Sequence, residues 1–177
     1  MRDGATPLFI ASQNGHEKIV IYLISKGAKV NVSRTDGASP LWISCQMGHS
    51  AIVSELLRAG AEVDSERSDG ATPLFKAAHK GHTSVVEELL PYKPNLGILK
   101  NGESALHAAT LFGHLDVVKL LIQAGANPQL QNKSGESSVD LARQMGHDQI
   151  EEYLAQRQTN KSFTNVATPT HQQALKT

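Results

Sequence analysis

A single cysteine, Cys45, leaves no partner for an internal disulfide, so bridges of that kind cannot hold this chain together. A lone thiol suits a reducing compartment, and the expected location is cytoplasmic or otherwise intracellular. Charge of one sign is also missing: 17 basic residues face 17 acidic ones, and the isoelectric point lies near 7.1. That balance speaks against a nucleic-acid partner, which would call for a basic excess or stripe. Long apolar runs are absent as well. The longest, Ile19 to Ile24, is far too short for a membrane span, so no membrane insertion is expected. The opening residues MRDGATPLF carry no basic-then-apolar export segment. Catalytic signatures are lacking too, with no HExxH, paired CxxC, GxSxG or GxxxxGK[ST].

What is present is repetition. The dipeptide Gly-His occurs at residues 15–16, 48–49, 81–82, 113–114 and 146–147, so its His recurs at intervals of 33, 33, 32 and 33 residues. A period in this range marks a stack of similar units rather than one irregular core. The units are 3–35, 36–68, 69–100, 101–133 and 134–158, and within each the instructions repeat. A Thr or Ser (Thr6, Ser39, Thr72, Ser104, Ser137) is placed to cap a helix by accepting from its free N–H groups. Pro7, Pro40 and Pro73 follow at the first helical position, where a missing N–H costs nothing. A short helix then runs to the Gly of Gly-His, which can adopt the left-handed turn that ends it. A second helix follows, with apolar pairs such as Ile52/Val53 and Leu56/Leu57 on one face. Helices this short are marginal alone and gain stability by burying those faces on neighbouring units.

TPLF with Ala or Ser, then Gly-His, then V-V-x-x-L-L and Gly-Ala resembles the ankyrin repeat, in register from residue 3 to 158. The resemblance implies an all-α repeat fold. In it, antiparallel helix pairs stack into a curved solenoid with short β-hairpin connections projecting as fingers. It also implies a non-catalytic scaffold that binds another protein, of unknown identity, through the finger tips and the first helices. The other reading is an ankyrin fragment of a larger multidomain protein whose activity lies outside this chain.

The two ends differ. Asp148, Gln149, Glu151 and Glu152 make the last second helix polar, as a C-terminal cap requires. Residues 159–177, rich in Thr, Asn, Gln and Ser, read as a disordered tail. The first unit instead places Ile21 and Tyr22 where later units have Ser54/Glu55 and Glu87/Glu88. Either further repeats precede Met1 or this end is an interface. The first is the expectation, because Arg2-Asp3 starts in the middle of a connection.

No catalytic, cofactor or metal site is expected. The five Gly-His imidazoles lie in successive units, whereas ligands to one metal must converge within about 2 Å of it. Cys45 replaces one residue of an Ala-Ala pair and reads as a buried small hydrophobe; the alternative is a reactive thiol in an exposed electropositive setting. Where the resemblance calls for His after Thr-Pro-Leu, this chain has Phe9, Trp42 and Phe75, and only His107 conforms. Two readings follow, aromatic packing in place of the usual hydrogen bonds or an aromatic ligand-binding row. Asn31, in LISKGAKVNV, is similar to the substrate pattern of the asparagine hydroxylase that modifies ankyrin repeats, although Lys29 stands where an acid is preferred. The plainer reading is that Asn31 satisfies turn backbone groups.

The resemblance carries the partner face onto Thr35, Asp36, Gln46 and Met47 in the second unit, and onto Asp69, His79 and Lys80 in the third. In the fourth it falls on Lys100, Asn101, Glu103, Leu111 and Phe112, and in the fifth on Lys133, Gln144 and Met145. Met47, Leu111, Phe112 and Met145 stand out as apolar side chains at positions expected to face solvent.

Overall fold

The computed structural model describes residues 3–163, and the side chains of residues 3–157. Among the described residues ten α-helices form five pairs, each pair joined by a tight turn. The first helices are α1 (Pro7–Gln13), α3 (Pro40–Met47), α5 (Pro73–Lys80), α7 (Ala105–Leu111) and α9 (Ser138–Met145). The second helices are α2 (Glu17–Ser25), α4 (Ser50–Arg58), α6 (Thr83–Leu89), α8 (Leu115–Gln123) and α10 (Asp148–Phe163). Each first helix packs on the next first helix and each second helix on the next second helix, which makes an all-helical solenoid.

The expected caps are in place. Thr6, Ser39, Thr72, Ser104 and Ser137 each accept from the backbone N–H three residues on, at 3.1–3.3 Å. Where proline leaves the first helical position, in α7 and α9, His107 and Asp140 reach back to the capping residue's own N–H and close a capping box.

The Gly-His dipeptide has a role that extends beyond its own turn. His49 Nε2 donates to the carbonyl of Gln13, His82 to that of Gln46, His114 to that of His79, and His147 to that of Leu111, at 3.1–3.2 Å. Each ring therefore belongs to one pair but bonds to the pair before it. The same ring lies against the preceding pair's turn glycine. A Cβ built on Gly81 would stand 2.5 Å from His114 Nδ1, and Gly15, Gly48 and Gly113 are covered in the same manner. Gly81 is thus required twice, for its φ of +71° and for the ring resting on it.

One apolar cluster runs through all five pairs, from Leu8 to Leu154. Two smaller clusters lie beneath the fingers, around Phe9 and Trp42 and around Phe75 and Leu99. Cys45 is fully buried, and that burial pushes its thiol well above the ordinary range, so it is the small hydrophobe of the plainer reading.

Three expectations need correction. The connections are tight turns rather than β-hairpins. Backbone bonds such as Arg34 N to Ala38 O and Arg67 N to Ala71 O close them, and Gln131–Ser137 is the single isolated bridge among the described residues. Beyond these closing bonds the flanking residues pair no further in the other described connections, so no ladder develops there. The last helix continues to Phe163, past the expected end of the repeats at 158, because neither Gly nor Pro interrupts it; residues 164–177 lie outside the described residues. Finally, the apolar pattern is not core in every copy. Ile52, Val85, Val117 and Ile150 share one register and are 1–2% exposed, whereas Ile19, in the same register of α2, is 49% exposed. Leu56, Leu89, Leu121 and Leu154 are fully buried, but Leu23 is only partly so, and His16 is exposed. Together with the exposed Ile21 and Tyr22, these residues form an open apolar face on the first pair.

The matched pair Ile52 and Ile19 provides a test. Ile52→Ala is expected to destabilise the fold by about 2–5 kcal/mol, and Ile19→Ala by less than about 1 kcal/mol, in urea unfolding. Equal losses would contradict the burial contrast.

Candidate functional site

The sequence-selected residues fall into two separate settings, the finger tips and the ends of the first helices. At the tips, Asp3, Asp36, Asp69 and Asn101 each accept from the backbone N–H two residues on, at 3.0–3.2 Å, so side chains shape the turns. Their second task links the fingers. Arg34 holds both oxygens of Asp36, at 2.9 and 2.6 Å. Arg67 reaches back to Asp36 at 2.9 Å and also binds Asp69 at 3.2 Å. Lys100 pairs with Glu66 at 2.6 Å. The same guanidinium groups cover aromatic faces, Arg34 over Phe9 and Arg67 over Trp42, both at 5.2 Å. The Arg34 and Arg67 bonds hold the Asp36 carboxyl far below the usual carboxylate range.

Asp36, Asp69 and Lys100 are therefore committed to this ladder. Thr35 and Lys133 tie neighbouring fingers through their backbone N–H groups, to Asp3 O and Gly102 O. The tip of the fourth finger holds Asn101 and Glu103, with Asn132 Nδ2 donating to Glu103 at 3.4 Å.

On the first helices, residues of equal register form rows across the stack. One row is Gln13, Gln46, His79, Leu111 and Gln144. The first four offer the carbonyls that accept from the following pair's imidazole. The adjoining row, immediately before the turn glycines, is Asn14, Met47, Lys80, Phe112 and Met145. Met47, Phe112 and Met145 are 46%, 49% and 48% exposed. Leu111 departs from expectation: it is half-buried, because its register points toward the next pair rather than to solvent.

His79 and Phe112 meet across two pairs with ring centroids 4.2 Å apart, and Phe112 also stacks on His114. The His79 Nδ1 is shut away with no hydrogen-bond partner among the described residues. Burial, together with Lys76, Lys80 and His114 nearby, lowers the His79 pKa below the ordinary imidazole value.

The residues standing where His was expected behave differently from one another. Phe9 and Phe75 are apolar fillers under cations, as aromatic packing predicts. Trp42 instead keeps a polar link, because its indole N–H donates to Ala71 O at 2.9 Å in the next finger. His107 does the same through Nε2 to Leu130 O at 2.9 Å, while its Nδ1 accepts from Ser104. Asn31 also bridges units. Its amide donates to Gly60 O and accepts from Glu62 N, both in the following connection. It thus serves backbone groups, but those of a neighbour rather than of its own turn. Among the described residues no cluster of three His, Cys, Asp or Glu could hold a metal, and no helix is long and apolar enough to cross a membrane.

Caps, Gly-His turns and finger bonds recur pair after pair, and the family model described as ankyrin repeats (3 copies) matches residues 1–67, 52–132 and 98–165. This chain belongs to the ankyrin repeat family. Ankyrin repeat domain-containing protein 29 of Homo sapiens is 60% identical over 45 residues, 25% of this chain and 15% of that protein. The Danio rerio protein of the same name is 56% identical over 43 residues, 24% of this chain and 14% of that protein. The matched stretch spans about one-seventh of the length of these relatives.

The ankyrin finger ladder carries a pH signature. Asp36 has a folded pKa below its unfolded one, so its contribution is present above the unfolded value near 4 and fades as pH falls below it. The parent chain is expected to lose more stability between about pH 5 and pH 3 than Asp36→Asn does, in parallel urea melts. Identical acid sensitivity would mean that the ladder contributes nothing.

Proposed function

We propose that this chain is a non-catalytic scaffold that binds a protein partner through its finger tips and first-helix ends. The observation that carries the reading is the register of Met47, Phe112 and Met145. These large apolar side chains are each about half exposed, and each immediately precedes a turn glycine. Exposed apolar residues scattered singly need no explanation, but three at one register of a repeated structure form a row. Phe112, braced by His79 and His114, is the anchor, since well-packed aromatic residues dominate interface energy.

The mechanism is preorganisation. The imidazole bonds, the Trp42 and His107 links and the arginine ladder fix the face before a partner arrives, so little ordering entropy is lost on binding. Gln46 and Gln144 then supply polar contacts beside the apolar row, and Thr35, Asn101, Glu103 and Lys133 do so at the finger tips, which Asp36, Asp69 and Lys100 hold in shape. No step of this reading requires a nucleophile, base, metal or cofactor.

A second reading is favoured by the open face at Ile19, Leu23 and His16. In it, the chain is the ankyrin portion of a longer polypeptide, with a further repeat covering that face and the activity located elsewhere. The mass of the natural polypeptide, at or above that of these 177 residues, separates the two.

Phe112→Ala combined with Met145→Ser tests the scaffold reading. Capture of a partner on the immobilised chain is expected to fall at least tenfold, with the melting temperature within about 2 °C of the parent, as for surface changes. Unchanged capture would refute the face, and loss of folding would assign both residues to the core.

A further inference from the structure

The charges of this molecule are not distributed evenly with respect to their partners. Every arginine of the fingers and Lys100 meets a carboxylate, and Arg143 on α9 meets Glu151 at 2.9 Å. The first-helix lysines do not. Lys80 is exposed, Lys76 lies 5.6 Å above the Trp42 ring, and neither has a carboxylate within ion-pair distance among the described residues. Nor could their own helices supply one: α1, α3, α5 and α7 contain no Asp or Glu at all. The one acid on a first helix, Asp140, is engaged by Ser137 in the α9 capping box. The exposed row thus reads apolar at Met47, cationic at Lys80, then apolar at Phe112 and Met145, with unpaired positive charge at its centre.

We propose that this row binds a peptide segment of a partner protein in which one carboxylate is flanked by large apolar side chains. This rests on the scaffold reading above and adds the chemistry of the occupant. Packed helices lie about 8–10 Å apart, so successive positions of the row are separated by about that distance. A peptide in the polyproline II conformation advances about 3.1 Å per residue with three residues per turn, so every third side chain returns to the same face and three residues span one step. The matching pattern is an apolar residue over Met47, Asp or Glu three residues on over Lys80, and apolar residues three and six further on over Phe112 and Met145. The carboxylate is recognised because Lys80 and Lys76 lack one, and the apolar residues because Phe112 and the methionines expose surface that contact would remove from water. A nucleic-acid strand would meet only two cations here, with apolar side chains on either side, and fits less well.

The test uses the full chain and a labelled synthetic peptide with Leu, Glu, Leu and Leu at positions 1, 4, 7 and 10 and Ser or Thr between them. Fluorescence anisotropy is expected to show saturable binding that weakens at least fivefold when the peptide Glu becomes Lys. Lys80→Glu should weaken the acidic peptide at least fivefold and restore the lysine peptide, and Phe112→Ala should weaken both. No saturable binding, equal affinity for the two peptides, or displacement of the acidic peptide by polyuridylate at lower concentration than by its unlabelled form would each overturn the proposal. If Phe112→Ala weakens binding while charge reversal does nothing, the acidic assignment fails and the scaffold face survives. If charge reversal acts and Phe112→Ala does not, the apolar row fails instead.

Discussion

The contact on which the rest depends is the imidazole of one repeat resting on the turn glycine of the repeat before it. It is a joint between units rather than a feature of any single unit. The ring donates to a carbonyl at the end of the previous first helix, where backbone groups lack intrahelical partners. It also occupies the space that a side chain on the glycine would fill. Two residues adjacent in sequence therefore work in opposite directions, the glycine toward the following repeat and the histidine toward the preceding one. This reciprocity fixes the offset between neighbours, and the offset brings Leu56, Leu89, Leu121 and Leu154 into complete burial.

Among the described residues the joint is half-made in the first and last pairs, and this accounts for how those pairs differ. Among the described residues nothing lies within 4 Å of a Cβ on Gly146, and the second helix of its pair, α10, is polar. His16 is the exposed member of the histidine series, and Ile19 and Leu23 beside it are open where their counterparts are covered. Between the ends, the joints release other positions from structural duty. Because the imidazoles, Trp42, His107 and the arginine ladder hold the repeats in place, Met47, Lys80, Phe112 and Met145 can vary without cost to the stack. Those positions change chemistry from repeat to repeat, and they carry the proposed partner chemistry.

Much of this could be read from the residues. The period, the Thr/Ser caps, the helix pairs and the apolar faces are local, and local rules specify them. Exposure of Met47, Phe112 and Met145 was legible for the same reason, since each precedes a turn. Contacts between repeats were harder to foresee. That His114 sits on Gly81, that Trp42 reaches Ala71, and that Asn31 bonds to Gly60 and Glu62 all follow from how far one repeat is displaced relative to the next. No spacing within a repeat encodes that displacement. Leu111 is half-buried for this reason, because the neighbouring pair covers it. The exposure of Ile19 was missed because its residue type and register match those of buried copies; what distinguishes it is that no further pair covers it among the described residues.

The most direct test compares two glycines with the same backbone and different neighbours. Gly81 and Gly146 both end first helices, at φ of +71° and +70°, but only Gly81 has a ring against it. In urea unfolding, Gly146→Ala should cost about 1–2 kcal/mol, the ordinary penalty of a left-handed alanine. Gly81→Ala should cost at least about 1 kcal/mol more, because His114 must leave its carbonyl. Equal losses at the two glycines would contradict the account, since the imidazole would then contribute nothing to holding the repeats together.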